Sequence, residues 1–389
     1  MRPHINQGDT GEPSAFRDLT TIRVGGEAGR VFVGRTSDEL VHVAGLTWQG
    51  PDEWMLLGGG SNTVVSEEGF DGTVILVRSQ GIEVLDTPGE PADAVRLRVQ
   101  AGHSWDAVVE YAVSHGLAGI EALSGIPGSA GAAPVQNIGA YGQEIAEVLH
   151  AITFLDYETG AITRMPAAVL GLGYRTSVIK QGRLGIVLSI DLTLRRSADT
   201  DNPLSAPVRY QQLADALGVS IGDRVPLAEL RRAVIRLRAS KGMVLDATDP
   251  DSVSAGSFFT NPIVTESAAR TLPAVAPRWP LQPEEQAVAV TTFEELASGV
   301  PLRRAEAPAE PRLVKLSAAW LIENSGVSRG FALPGSGAAI SSRHTLAITN
   351  RGGATGEEVA QLARFVQQRV QSEFGVVLQP EPVLVDLEL

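Results

Sequence analysis

The sequence predicts an α+β protein with two or three domains' worth of chain, and three observations carry that expectation. Short apolar runs of strand length, punctuated by glycine, recur through the 389 residues. Stretches of helical periodicity stand singly between them, without the regular strand–helix alternation of a parallel doubly wound sheet. No internal repeat and no heptad run organises the chain on a longer scale.

Taken in order, RVFVG (30–34), WMLLGGGSN (54–62) and GTVILV (72–77) read as strands, with a helix near 37–46. VRLRVQAG (95–102) is a further strand. Ser104 is placed to cap the helix after it, where Trp105, Val108, Val109, Ala112 and Val113 repeat at helical spacing and Gly116 sits at the C′ position. AITFLDYETGAITRM (151–165) has the form of a hairpin turning at Thr159-Gly160, LGIVLSIDLTL (184–194) is a strong strand, and 197–207 reads as a polar loop. From 226, PLAELRRAVIRLRASKG is an amphipathic helix with Leu227, Leu230, Val234 and Leu237 inward. Arg231, Arg232, Arg236 and Arg238 fall on its other faces, and Arg231 and Arg232 suit a solvated face and a working site equally. Residues 264–311 are proline-rich with acidic and alanine-rich patches, an expected excursion with one strand at 287–293. A helix over 356–374 opens on a capping box of Thr355 and Glu358, carries Val359, Leu362, Ala363, Val366 and Val370 on one face, and stops at Gly375. VVLQPEPVLV (376–385) is expected as a final strand.

Composition narrows the function. A net charge of −13 opposes general binding of nucleic acid or anionic membrane, so an anionic ligand needs a local cluster of Arg and Lys. The absence of cysteine excludes disulfides, thiolate metal sites, iron–sulfur clusters and a cysteine nucleophile. The six histidines form no H-x-H or H-E-x-x-H pair, and no metal site is expected. The first residues carry no apolar signal segment and no run reaches membrane-spanning length, which points to a soluble cytoplasmic chain. With no apolar helix face left obviously unused, a monomer is expected.

Two bare stretches raise the question of a phosphate-bearing ligand. LLGGGSNTVV (56–65) is a strand, a glycine turn and then Ser61-Asn62. It matches neither G-x-G-x-x-G, since Thr63 holds the last position, nor a Walker loop. A phosphate cradle and a plain β-turn both fit it. LSGIPGSAGAAPVQNIGAYG (123–142) has glycine at 125, 128 and 131, then Gln136-Asn137 and Gly139-Ala140-Tyr141-Gly142, with no charge. Small residues there allow close approach of backbone to a ligand, and they equally suit a tightly packed crossover.

TTIRVGG (20–26), GGGSN (58–62), IPGSAGAAPVQNIGAYG (126–142), GYRTS (173–177), GSFFTNP (256–262) and QPEP (379–382) follow one another in this order. Together, over about residues 16–385, they resemble the FAD-dependent UDP-N-acetylenolpyruvoylglucosamine reductases of peptidoglycan synthesis. The resemblance implies an FAD-binding fold of the p-cresol methylhydroxylase/vanillyl-alcohol oxidase type. Its two subdomains would comprise residues 1–78 and 79–225 with 376–389, and an α+β substrate-binding domain would comprise 226–375. It implies non-covalent FAD, NADPH as co-substrate, and reduction of the enolpyruvyl ether of UDP-N-acetylglucosamine to UDP-N-acetylmuramate.

Carried onto this sequence, the resemblance makes Ser257 the proton donor, with Arg175 and Glu381 completing the catalytic set. FAD would be held by Gly58, Gly59, Gly60, Ser61, Asn62, Pro127, Gly128, Ser129, Gly131, Ala132, Ala133, Gln136, Asn137, Gly139, Ala140 and Val187. Tyr174, Tyr210, Arg238, Lys241, Asn261 and Asn324 would hold the UDP-sugar. Two departures stand out: residues 284–310 are longer than the pattern, and QPEP has proline after Glu381 where valine is expected. The competing readings are another flavin oxidase or dehydrogenase on the same scaffold, and a non-enzymatic binder of flavin or UDP-sugar.

Overall fold

Three parallel strands, in the order Ala28–Gly34, Phe70–Val77 and Trp54–Leu57, form the first sheet of the computed structural model, which describes residues 12–281, 298 and 312–389. The connection between Ala28–Gly34 and Trp54–Leu57 carries the helix Ser37–Thr47, whose first turn is capped by the Thr36 hydroxyl accepting from Glu39 N. Phe16, Leu57, Val65, Val74 and Leu76 make its core. Hydrophobic burial on this scale stabilises by about 1.5–3 kcal/mol for each fully enclosed large side chain.

The second sheet is antiparallel, in the order Ile162–Pro166, Leu149–Asp156, Gly185–Arg196, Ala94–Gln100 and Ile82–Leu85. The hairpin turns where expected: Asp156 Oδ1 accepts from Thr159 N, and Gly160 has φ +67°. The helix Trp105–Ser114 buries Trp105, Val108, Val109 and Ala112 against this sheet, in a core with Leu97, Val99, Phe154 and Ile190. Ser104 is its N-cap residue, but its side chain makes no capping bond; Trp105 N donates instead to Gly128 O at 3.0 Å. The start of the helix is thus tied to the glycine-rich stretch.

The helix Leu227–Ser240 packs Leu230, Ala233 and Val234 on Leu213 and Ala214 of the helix Gln211–Leu217. Arg231 is not on a solvated face. Both its terminal nitrogens donate to the Asp106 carboxylate, at 2.7 and 2.9 Å, and its side chain is 13% exposed. Strands Ser254–Ser257, Ala347–Asn350 and Ala338–Ile340 form a small antiparallel sheet. The helix Gly356–Phe374 opens on its capping box, with Glu358 N donating to Thr355 Oγ1 and Thr355 N to Glu358 Oε2.

The chain divides into two units. One runs to Phe258 and takes in Arg329–Ala363 and Glu381–Leu389; the other comprises Phe259–Ser328 and Arg364–Pro380. In the second unit, Leu313–Leu316 pairs antiparallel with Ile263–Thr265 and Arg278–Pro280. The first part of the expected excursion includes regular structure: Ile263–Thr265 and Arg278–Pro280 are strands and Glu266–Arg270 is a helix. The strand expected at 287–293 lies outside the described residues. The expected final strand 376–385 shrinks to Val383–Val385, parallel to Thr63–Val65. Pro380 and Pro382 lack N–H donors and interrupt the ladder, so the described pairing before Val383 is the isolated bridge of Pro380 with Phe259. No helix among the described residues is long and apolar enough to cross a membrane.

Candidate active site

Two glycine-rich segments far apart in sequence press against one another in the first unit. A Cβ on Gly59 would stand 2.7 Å from Gly128 Cα, and Ser61 Oγ donates to Pro127 O at 3.1 Å. Only bare backbone permits that approach. The turn is tight because Gly60 lies at φ +61° with Thr21 N bonded to its carbonyl. Beyond the contact, residues 130–136 form a 3₁₀ turn.

Behind this seam lies a cavity of about 750 Å³, within the range of a bound cofactor. Gly58–Asn62, Pro127–Ser129, Gly131–Ala133, Gln136, Gly139, Ala140 and Val187 line it, with Leu57, Val77, Trp105, Ile126, Ile179 and Ile186 as apolar wall. The backbone N–H groups of Gly59, Gly60, Ser61 and Asn62 meet no acceptor among the described residues. Successive unpaired N–H groups in a turn are an anion-binding concavity, and an apolar wall beside one suits a flat ring system. The residues present fit FAD on both counts. Asn137 is the exception among the expected cofactor contacts. It is 1% exposed, has φ +45°, and its amide is spent on Glu144, Gly173 O and Ala146 N, so it fixes the local backbone rather than facing the cavity.

Arg175, Ser257 and Glu381 all line the same cavity, although three different segments carry them. Arg175 sits in a tight turn closed by Gly173 and Thr176, at φ +54°, a conformation that costs a non-glycine residue roughly 1–2 kcal/mol. Its Nε is 3.2 Å from Glu381 Oε1, and its terminal nitrogens donate to Asn137 O and Gly139 O. Glu381 also accepts from Gln136 Nε2 at 3.2 Å. Burial pushes the Glu381 carboxyl above its ordinary range, against the opposing pull of Arg175 and Lys180. Ser257 ends its strand after Gly256, which has φ +78°.

At the other part of the cavity are Tyr141, Tyr210, Arg238 and Lys241. Tyr141 and Tyr210 meet edge to face at 5.7 Å, and Lys241 Nζ stands 5.6 Å from the Tyr141 ring centre. Arg238 is 9% exposed; one terminal nitrogen donates to Met243 O while its buried Nε has no partner among the described residues. Burial lowers the pKa of Arg238 and of Lys241, and Arg238 lowers Lys241 further. Four cations, Arg175, Lys180, Arg238 and Lys241, thus face a cavity whose lining holds one carboxylate, in a chain of net charge −13. This is the local cluster that an anionic ligand requires.

Not every expected substrate residue joins this group. Tyr174 is 37% exposed beside Arg175 and does not line the cavity. Asn261 and Asn324 belong to the second unit, where Asn261 Oδ1 accepts from Ala318 N and Asn324 Nδ2 donates to Trp320 O. Lys180 and His344 line the cavity and were not anticipated. Lys180 Nζ lies 3.2 Å from Glu381 O and 3.4 Å from Gln136 Oε1; its place five residues after Arg175 was the available signal. His344 Nε2 is 3.5 Å from Ser257 Oγ, and no spacing in the sequence announces it. Among the described residues no group of three or more His, Cys, Asp or Glu could hold a metal.

Comparison with known proteins shows the family. Residues 28–166 match the FAD binding domain family, and residues 249–385 match the C-terminal domain of UDP-N-acetylenolpyruvoylglucosamine reductase. A UDP-N-acetylenolpyruvoylglucosamine reductase of Leifsonia xyli is 58% identical over 385 residues, covering 97% of this chain and all of that protein. One from Salinispora arenicola is 45% identical, covering 95% and 94%. The crystal structure of the Thermus caldophilus enzyme superposes with a TM-score of 0.57 at 25% identity, covering 95% of this chain and 97% of that one. The expected α+β architecture, an FAD-binding part followed by a reductase C-terminal domain, is the one found. The chain belongs to the UDP-N-acetylenolpyruvoylglucosamine reductases, FAD-dependent oxidoreductases of peptidoglycan synthesis.

Proposed function

We propose that the chain reduces UDP-N-acetyl-3-O-(1-carboxyvinyl)-glucosamine to UDP-N-acetylmuramate at the expense of NADPH, with Arg175, Ser257 and Glu381 as its catalytic residues. The observation that carries this reading is their convergence on one cation-rich cavity beside the double glycine seam. In this reading Gly58–Asn62, Pro127–Ser129, Gly131–Ala133, Gln136, Gly139, Ala140 and Val187 would hold FAD without a covalent link, the backbone N–H groups of 59–62 being available to its pyrophosphate. FAD, when bound, supplies hydride to the terminal carbon of the enolpyruvyl double bond. Negative charge then grows on the conjugated carboxylate as an enediolate. Arg175, held rigid by its turn and by Glu381, is the cation that stabilises it. Ser257 gives its proton to the carbon bearing the carboxylate. A serine hydroxyl is a weak acid, but a developing carbanion is a strong base, and positioning makes the transfer effective. Glu381, when protonated, can donate a hydrogen bond to the substrate carboxylate.

Lys241 and Arg238 suit the nucleotide pyrophosphate, with Tyr141 and Tyr210 beside them. Tyr174, Asn261 and Asn324 remain proposed sugar-nucleotide contacts. We take NADPH and the substrate to use this cavity in turn, and the enzyme to act as a cytoplasmic monomer.

The test separates the two half-reactions by absorbance of the FAD-loaded protein without oxygen. NADPH should bleach the flavin, and the enolpyruvyl nucleotide should restore its colour. If the nucleotide leaves reduced protein bleached, the reductase reading fails. Reoxidation by an alcohol-derived carbonyl instead would favour the oxidase alternative.

A further inference from the structure

Ser257 must recover a proton after each turnover, and the structure holds one ionisable ring against its hydroxyl. His344 Nε2 lies 3.5 Å from Ser257 Oγ, at the long end of hydrogen-bond reach, a looseness common for catalytic pairs before substrate arrives. Both residues line the cavity. We infer that His344 is a positioning residue for Ser257: it orients the hydroxyl toward the substrate carbon and returns the proton that the hydroxyl gives up. The inference rests on the proposed donor role of Ser257.

The frame around the pair favours a fixed geometry. The strand carrying Ser257 pairs with Ala347, and Phe258 N donates to Leu346 O at 2.7 Å. His344 stands in the turn just before that partner strand, closed by Ser341 N to Ala347 O and Ala347 N to His344 O. Asp251, 4% exposed, clamps the turn from behind: it accepts from Ser341 Oγ, Ser342 N and Ser342 Oγ, at 2.9, 2.8 and 2.6 Å. Ser341 Oγ in turn accepts from His344 N at 3.2 Å. With a fourth hydrogen bond from Arg351 at 3.2 Å, this buried carboxylate is a rigid anchor, and it sits a few residues before Ser257 on the same segment. Serine and imidazole are thus set from one support.

The proton balance is simple. Ser257 Oγ gives its proton to the substrate carbon beside the carboxylate, and the O–H bond breaks as the C–H bond forms. The alkoxide takes a proton from Nε2 of the imidazolium, and the neutral ring is recharged from water. These steps are proton transfers with no change of oxidation state, and no reagent beyond water is needed. Histidine is suited to the task because its charge changes in the working pH range.

The experiment uses the FAD-loaded protein with His344→Gln, His344→Asn, Ser257→Ala and the double variant Ser257→Ala/His344→Gln. Either histidine variant should bleach with NADPH at close to the parent rate and regain colour with the enolpyruvyl nucleotide at least about tenfold more slowly. The double variant should be no slower than Ser257→Ala, because two residues acting as a unit are not additive. As a readout independent of turnover, the ring NMR signal lost in His344→Gln should be the one of six histidines that shifts in Ser257→Ala. Normal recovery in both histidine variants, additive losses in the double variant, or an unmoved ring signal would overturn the inference. If Ser257→Ala itself recovers colour normally, the donor reading falls and this inference with it. If Ser257→Ala is slow and His344→Gln is not, only the role of His344 falls.

Discussion

Arg175 Nε and Glu381 Oε1 stand 3.2 Å apart, joining a strained turn to the segment before the Val383–Val385 strand. Glu381 is buried enough that its ionisation is coupled to folding. Burial raises the Glu381 pKa, with Arg175 and Lys180 opposing. A carboxyl with a raised folded pKa contributes stability that is complete below its unfolded value, near pH 4.3, and is lost as pH rises through the folded value. Glu381→Gln cannot ionise, so its urea midpoint relative to the parent should climb with pH above about 4. Parallel midpoint curves from pH 4 to 8 would refute that assignment.

Ser257→Ala should leave bleaching by NADPH intact and slow recovery of colour by the enolpyruvyl nucleotide by about 10²–10⁴-fold, the usual worth of a positioned proton donor. Equal losses in both half-reactions would mean that the serine shapes the cavity instead of supplying a proton.

Lys241 donates to Gln212 Oε1 at 2.8 Å and lies over the Tyr141 ring, so its position is set without substrate. Lys241→Ala should weaken nucleotide affinity by about 1.5–3 kcal/mol, roughly 10–150-fold in Kd, the worth of one charge-assisted hydrogen bond. Titration of the flavin spectrum with substrate measures it; unchanged affinity would remove Lys241 from the pyrophosphate.

Gly131→Val tests the cradle. A Cβ there would stand 2.5 Å from Ala101 Cβ and 3.0 Å from its Cα, in a strand-to-helix junction. Overpacking should cost about 1–3 kcal/mol in urea stability, and the purified protein should be colourless. Yellow protein with normal FAD affinity would show that the cradle lies elsewhere.

Arg231→Met examines the brace behind the glycine stretch. Asp106 is pushed up by burial, but the Arg231 side chain and the Gly125 N–H outweigh that and lower its pKa. Its stabilisation is therefore present above the unfolded aspartate value and fades as pH falls through the lower, folded one. The variant should lose about 1–2 kcal/mol near neutral pH, and less in acid, since Asp106 is partly exposed. A loss that does not depend on pH would assign Arg231 a packing role alone.

What could be read in advance was what local rules govern. The helix Gly356–Phe374 begins and ends where Thr355, Glu358 and Gly375 dictate, because caps act within a turn. The glycine segments and GYRTS were visible because a close backbone approach or a tight turn leaves a compositional mark. Arg231 suited a solvated face and a working site equally, because its partner, Asp106, lies on a helix far away in sequence. Asn137 looked like a ligand contact, yet a left-handed asparagine that ties down its own neighbourhood has the same letter. His344 left no trace, because its meeting with Ser257 depends on strand pairing and on a clamp by Asp251.

The parallel pairing of Val383–Val385 with Thr63–Val65 also fixes when the site can exist. Asn62 Nδ2 donates to Glu381 O across 319 residues, and Val383 N donates to Asn62 O. At roughly 5–20 residues per second, a ribosome delivers that partner about 15–60 s after Asn62 is made. Until then the strand beside GGGSN has an open edge. A nascent chain that has not reached residue 381 lacks Glu381 and Val383 from the cavity lining and leaves the Thr63–Val65 edge unpaired, a liability for aggregation.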